Sequence, residues 1–179
     1  MTALFTIGHS RHDIEAFAAL LTAHRITLLV DVRAAPYSRR HPQFNREALD
    51  SALAAQGIRY RWLGQPLGGL RDVREPSAHT ALTEPAFRVY AAHLADADFI
   101  EAVDKLIAAA ARHRLAVMCA EADHAHCHRQ FIADALTVRG EPVSHIRTDG
   151  SLLPHTRHPS LRVDGERLVY DRHGQGDLF

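Results

Sequence analysis

Between Val117 and Arg129 the chain reads VMCAEADHAHCHR, its densest run of reactive side chains. The only two cysteines, Cys119 and Cys127, bracket Glu121, Asp123, His124 and His126, and His128 and Arg129 follow. Such a set fits three descriptions. Cysteine and histidine ligate zinc, a thiol beside a base is a nucleophile, and loop histidines can be merely solvated. Spacing separates these readings. Closed zinc sites combine C-x2-C with H-x3-H; no C-x2-C occurs here to join the lone H-x3-H of His124 and His128, so zinc or another metal is disfavoured, no ligand is assigned and no cofactor is clearly implied. The loop of thiol phosphatases, cysteine then five residues then arginine, is absent too. Ala125 stands where Cys119 would need the arginine, and Arg129 follows Cys127 too soon.

Cys127 begins a helical pattern, where unpaired amides and the helix dipole favour a thiolate. His128 and Arg129 add positive charge. The expected chemistry is a nucleophile at Cys127 with His128 beside it and Glu121 as general acid or base; a capping residue without chemistry is the plainer alternative. Cys119 ends an apolar strand and is expected to pack as a small hydrophobe. His124 and His126 are expected to be solvated.

The elements that must position these groups alternate. ALFTIG (3–8) is a buried strand. Ser10 to Asp13 fits an acidic capping box with Ser10 at the N-cap. TLLVDVR (27–33) is an interior strand that turns charged at its end. A proline-broken loop follows, then a helix over 46–56 with Asn45 as cap and Gly57 as stop. IRYRWL (58–63) alternates like a half-exposed strand. Residues 64–83 are irregular, and Leu67-Gly68-Gly69-Leu70 within them could let backbone approach a ligand. Helical patterns cover 84–95, 98–114 and about 127–138, with strands at 115–120 and 142–147. Asp164-Gly165 signals a hairpin over 161–170. The prediction is an α/β fold, a single domain with a mostly parallel sheet flanked by helices, plus a C-terminal hairpin and tail. Residues 1–148 form the α/β domain, 149–170 an extension with the hairpin, and 171–179 a flexible tail.

Parallel sheets bind ligands beyond the carboxyl ends of their strands. Those ends carry Gly8-His9-Ser10, Asp31-Val32-Arg33 and Cys119-Ala120-Glu121, so three segments are expected to meet at one rim. His9 joins the catalytic candidates as a base or substrate contact. Ser10, Asp31, Arg33, Ser38, Arg39 and Arg129 are candidate substrate or phosphate contacts. Arg33, Arg39, Arg40 and Arg46 lie in a stretch with no acidic residue before Glu47, a cluster that suits phosphate as well as it suits a solvated face. Tyr37, Phe44, Tyr60 and Trp62 could stack on bases.

With 179 residues and 46% hydrophobic content, the chain suits one compact domain. Zero formal net charge argues against a strongly basic nucleic-acid binder. The N-terminus does not read as a signal peptide, and no apolar run approaches the roughly 18 residues of a membrane span. A cytoplasmic protein with free thiols and no membrane partner is expected.

In order, TIGHS at Thr6–Ser10, DVRAAPYSRR at Asp31–Arg40 with Phe44, Gly57-Ile58 and Tyr60, LGG at Leu67–Gly69, CAE at Cys119–Glu121, CHR at Cys127–Arg129 and His145-Ile146 form a combined signature. The chain thereby resembles the bacterial and archaeal family called domain of unknown function 488. The resemblance implies an α/β domain whose signature includes the rim residues; it implies no reaction. Separately, the terminal QGDLF resembles the short peptide by which many bacterial replication and repair proteins bind the DNA sliding clamp. Leu178 and Phe179 would fill an apolar pocket, Gln175 would anchor by hydrogen bonds, and Asp177 matches the motif, while Gly176 departs from the leucine often found there. The expectation is an enzyme acting on nucleic acid or a nucleotide-derived substrate in DNA repair or replication, tethered to the clamp. The alternatives are a non-catalytic nucleotide- or DNA-binding adaptor and a small Cys/His metalloprotein.

Overall fold

The structure is a computed structural model and describes residues 4–173. The clamp-binding candidates Gln175, Asp177, Leu178 and Phe179 lie outside the described residues.

Apolar runs build a six-stranded sheet from β1 (Leu4–Gly8), β2 (Leu28–Asp31), β3 (Arg59–Trp62), β4 (Leu115–Cys119), β5 (Val143–Ile146) and β6 (Leu152–Pro154). The strand order is β3-β2-β4-β1-β5-β6, with every pair parallel except β5 and β6. Central β1 and β4 are buried along their whole length, whereas β3 at one edge alternates between exposed and buried positions.

Two-residue periodicity assigns each strand's side chains to opposite layers. Phe5, Ile7, Leu29, Ala116 and Met118 pack with Phe17 and Leu21 of α1 (Ile14–Ala23) and Leu49 and Leu53 of α2 (Arg46–Ala54). Leu4, Leu28, Val30, Leu115, Val117 and Cys119 face the other way. They share a core with Tyr90 of α4 (Pro85–His93), Phe99, Val103 and Leu106 of α5 (Ala97–Ala110), and Phe131 and Ile132 of α6 (Arg129–Val138). One short turn of helix, α3 (Gly64–Leu67), interrupts the otherwise irregular stretch after β3. The mostly parallel sheet between two helical layers is the predicted architecture.

The extension is part of this body. β6 adds to the sheet, and the hairpin of β7 (Leu161–Asp164) and β8 (Arg167–Tyr170) turns at Gly165 with φ +60°. Tyr170 is fully buried edge-on to Phe131 at 5.1 Å, and its hydroxyl donates to Asp134 Oδ2 at 2.9 Å. Among the described residues no helix is long and apolar enough to cross a membrane.

Register aligns the strand ends that matter. Gly8 pairs with Cys119 and Asp31 with Met118, and His9, Ser10 and Val32 continue the bonding onto the carbonyls of Cys119, Ala120 and Met118 at 2.9–3.0 Å.

Three local expectations need correction. Ser10 does not cap α1: it sits at φ +48°, turning the chain while its amide bonds Ala120, and Asp13 is the cap, accepting from the Ala16 amide at 2.6 Å. Asn45 occupies an N-cap position, but its side chain accepts from the Ser38 amide at 2.7 Å and so pins the arginine-rich loop instead. Helix α6 begins at Arg129 rather than at Cys127. β6 escaped prediction because Leu152-Leu153-Pro154 is too short to show a period.

The capping correction is measurable. Asp13→Ala should lower the urea unfolding free energy by about 1 kcal/mol, whereas Ser10→Ala should leave the cap intact and cost clearly less. The reverse order of losses would restore Ser10 as the cap.

Candidate functional site

The strand ends enclose a cavity of about 520 Å³. His9 enters from the end of β1, Arg33 and the loop residues Tyr37, Ser38 and His41 from beyond β2, and Cys119, Ala120 and Glu121 from β4. His126, Cys127 and His128 close it ahead of α6, with Gly69, Leu70, Phe87 and Tyr90 along the side.

Two thiols lie over a buried guanidinium. Arg129, 1% exposed, donates from Nε to Cys119 Sγ (2.9 Å), from Nη1 to Thr6 Oγ1 (3.1 Å), and from Nη2 to the carbonyls of Glu121 (2.5 Å) and Ala122 (3.3 Å). Its backbone amide points at Cys127 Sγ, 3.5 Å away. Among the described residues no carboxylate pairs with it. A buried cation without a counter-charge is costly, so it favours ionisation of an acidic group in its surroundings, here one of the two thiols. Gly8 makes this arrangement sterically possible: a Cβ there would stand 1.8 Å from the Glu121 carbonyl oxygen.

The two thiols respond oppositely. Burial pushes the Cys119 thiol well up, and its hydrogen bond to Cys127 adds to the effect. Burial also opposes ionisation at Cys127, but the Cys119 hydrogen bond, the His128 ring and the Arg129 guanidinium outweigh it and hold Cys127 well below its ordinary value. Cys127 is therefore the thiol that ionises more readily, and Cys119 the one that keeps its proton.

His128 is oriented for this partner. Its Nε2 lies 3.2 Å from the Val32 carbonyl and its Nδ1 lies 3.6 Å from Cys127 Sγ. A carbonyl only accepts, so Nε2 carries the proton, and Nδ1 is left to exchange a proton with the thiol. Thiol, imidazole and carbonyl thus form a continuous contact series, the arrangement a thiol nucleophile and its base would need. The ring packs against Tyr90 with centroids 5.2 Å apart. Gly69 passes so close that a Cβ there would come within 3.1 Å of His128 Nδ1, so the glycine pair in this loop permits a close approach to the base.

The opposite wall is built on Asp31. Its buried carboxylate takes Nε and Nη2 of Arg33 at 2.9 and 2.6 Å and the Tyr60 hydroxyl at 2.7 Å. Arg33 Nη2 also donates to the Phe44 carbonyl, and Nη1 makes only a long 3.5 Å contact with His9 Nε2. His9 stacks on Phe44 at 4.3 Å and bonds the Ser10 carbonyl through Nδ1 at 3.0 Å. Burial, helped by Arg33 and His41 and opposed by the Ser10 carbonyl, lowers its pKa to about 4. His9 is therefore neutral near pH 7, with Nε2 as an acceptor.

Of the predicted site residues, His9, Arg33, Ser38, Glu121, Cys127 and His128 line the cavity. Asp31 and Arg129 stand behind it as supports, Ser10 contributes a backbone carbonyl, and Arg39 is exposed beyond the lining. The Glu121 carboxylate is exposed, and only its carbonyl meets Arg129. Cys119 does more than pack, since it bonds the guanidinium. His124, expected in solvent, is half-buried and stacked on His145 at 3.5 Å. Tyr90 and Thr6 were missed: both sit in apolar patterns that read as plain core. Groups with metal-ligating geometry, His124–His145–His155 and His93–Asp96–Asp98, lie apart from this cavity.

Alkylation followed by mass spectrometry tests the thiol pair. Cys127 should react near neutral pH and Cys119 only after unfolding, and His128→Asn should move the Cys127 rate profile to higher pH. Equal reactivity of the two thiols, or an unmoved profile, would contradict the geometry.

No curated protein and no solved structure matches the chain. One family model does, over residues 13–136, and its description is domain of unknown function DUF488. The matched stretch holds the β2 end, the β4 end and the Cys127–Arg129 segment, but neither His9 nor His145. Because it covers more than half of the sequence, this chain belongs to the DUF488 family.

Proposed function

We propose that the cavity is the active site of a thiol-dependent hydrolase or transferase acting on nucleic acid or a nucleotide-derived substrate. The observation that carries this reading is the series from Cys127 Sγ through His128 to the Val32 carbonyl, set over a guanidinium that pairs with no carboxylate among the described residues. The Cys127 sulfur would attack an electrophilic centre. Protonated His128 would return its proton to the leaving group, and water or an acceptor would release the second product. Glu121, exposed at the mouth, would serve that acceptor as general acid or base.

The substrate class rests on size and surface. A cavity of about 520 Å³ suits a nucleoside-sized ligand. Tyr37, 65% exposed, offers a face on which a base can stack. Arg39 and Arg40 are exposed between the lining residues Ser38 and His41 and have no ion pair among the described residues, which suits a polyanion. We further propose a reducing cytoplasm, where both thiols stay free, and a role in DNA repair or replication. The terminal Gln175, Asp177, Leu178 and Phe179 would dock on the sliding clamp, raising local concentration at DNA without a basic surface.

A second reading, a non-catalytic adaptor with the same ligand, is favoured by the 4% exposure of Cys127, which is tight for attack on a bulky group.

Incubation with nucleotides and single-stranded oligonucleotides should give turnover that Cys127→Ser lowers by about a thousandfold or more while binding persists. Binding without turnover in the unaltered protein would select the adaptor. Capture by the clamp should fail for a chain lacking residues 175–179, and equal recovery of both chains would remove the tether.

A further inference from the structure

Beyond the thiol cavity, a second polar cluster lies on the far side of Arg129. His124 comes from the turn after β4, His145 from β5, and His155 from just past β6. One ring nitrogen from each lies within 4.8 Å of the other two. His145 Nε2 and His155 Nδ1 are only 2.9 Å apart. Two nitrogens bound to one tetrahedral zinc at about 2.0–2.1 Å would be separated by roughly 3.3 Å, so a small movement admits an ion.

Two of the remaining nitrogens are anchored. His145 Nδ1 bonds Thr6 Oγ1 at 2.7 Å, and His155 Nε2 bonds Asp134 Oδ1 at 2.8 Å. His124 Nδ1 stands 3.5 Å from Asp123 Oδ1. Asp134 is fully buried and is itself fixed by the Tyr170 hydroxyl and the His158 amide. Oxygen partners on the outer nitrogens hold the inner ones toward a common point, the arrangement that orients metal-ligating histidines. His145 and the His155 side chain are buried, while His124 is partly open and its ring, parallel to His145, can tilt inward. A cavity of about 300 Å³ adjoins His124 and His145, leaving room for a fourth, exchangeable ligand.

We propose that His124, His145 and His155 form a binding site for a borderline divalent transition metal, with zinc as the reference ion and the fourth position open to water or an anion. Imidazole donors and the absence of a carboxylate among the three favour zinc, nickel, cobalt or copper over magnesium or calcium. The site stands apart from the chemistry assigned to Cys127. It also differs from the Cys/His cluster suggested by local spacing, because only His124 of that run takes part.

Full-length protein without a histidine tag, stripped by chelation, is titrated with zinc alone by calorimetry and against a chromophoric chelator. One equivalent should bind. His124→Ala, at a partly open position, should weaken binding by about tenfold or more, and Asp134→Asn by about 10–100-fold, with the melting transition recorded for each variant. His126→Ala and Cys127→Ser should bind as the unaltered protein does. Cobalt at the same site should give the visible bands of a tetrahedral complex. Binding of less than one equivalent, or binding lost in Cys127→Ser but kept in His124→Ala, overturns the proposal.

Discussion

Arg129 is the constraint on which the rest of the site depends. A guanidinium in the interior must satisfy its donors and find negative charge. Its donors are met by Thr6 from β1, Cys119 from β4 and two carbonyls of the loop beyond. Those partners hold their places because β1 and β4 are adjacent, parallel and in register from Leu4 with Leu115 to Gly8 with Cys119. The missing negative charge falls to a thiol. Fold and thiol ionisation are thus linked: the sheet satisfies the guanidinium, and the guanidinium adds to Cys119 and His128 in favouring the Cys127 thiolate.

The same side chain separates two polar regions. Toward the cavity lie the thiols and His128. Through Thr6, which also bonds His145, lies the histidine cluster that ends at Asp134 and Tyr170. The C-terminal hairpin therefore contributes to the interior polar network as well as to the apolar core. On the opposite wall Asp31 performs a parallel task, consuming most of the hydrogen-bonding capacity of Arg33, while burial keeps His9 in its neutral form.

Much of this was legible in the residues alone. Buried runs such as TLLVDVR and LAVMC have few alternatives to interior parallel strands, and parallel strands gather their carboxyl ends. That logic brings His9, Arg33, Glu121 and Cys127 together without coordinates. What stayed hidden depends on partners distant in sequence. Arg129, next to a cysteine and a histidine, reads as a phosphate contact; its burial follows from Gly8 and Thr6 on another strand. Ser10 matches a capping box locally, but a hydrogen bond to Ala120 takes it elsewhere. His124 meets His145 and His155 only through the crossover to β5 and the antiparallel return of β6, which no local spacing reveals.

Strand β4 presents Leu115, Val117 and Cys119 to one layer and Ala116 and Met118 to the other. Deleting one residue ahead of Cys119 would exchange these faces while leaving an equally hydrophobic strand. Ala120 would then take the place beside Arg129, and the thiol would turn toward α1. Length changes should therefore be sharply partitioned in descendants of this chain. The irregular stretch after α3 can gain or lose residues at small cost, whereas the frame of β4 is inherited whole or the contact between Cys119 and Arg129 disappears from a protein that still folds.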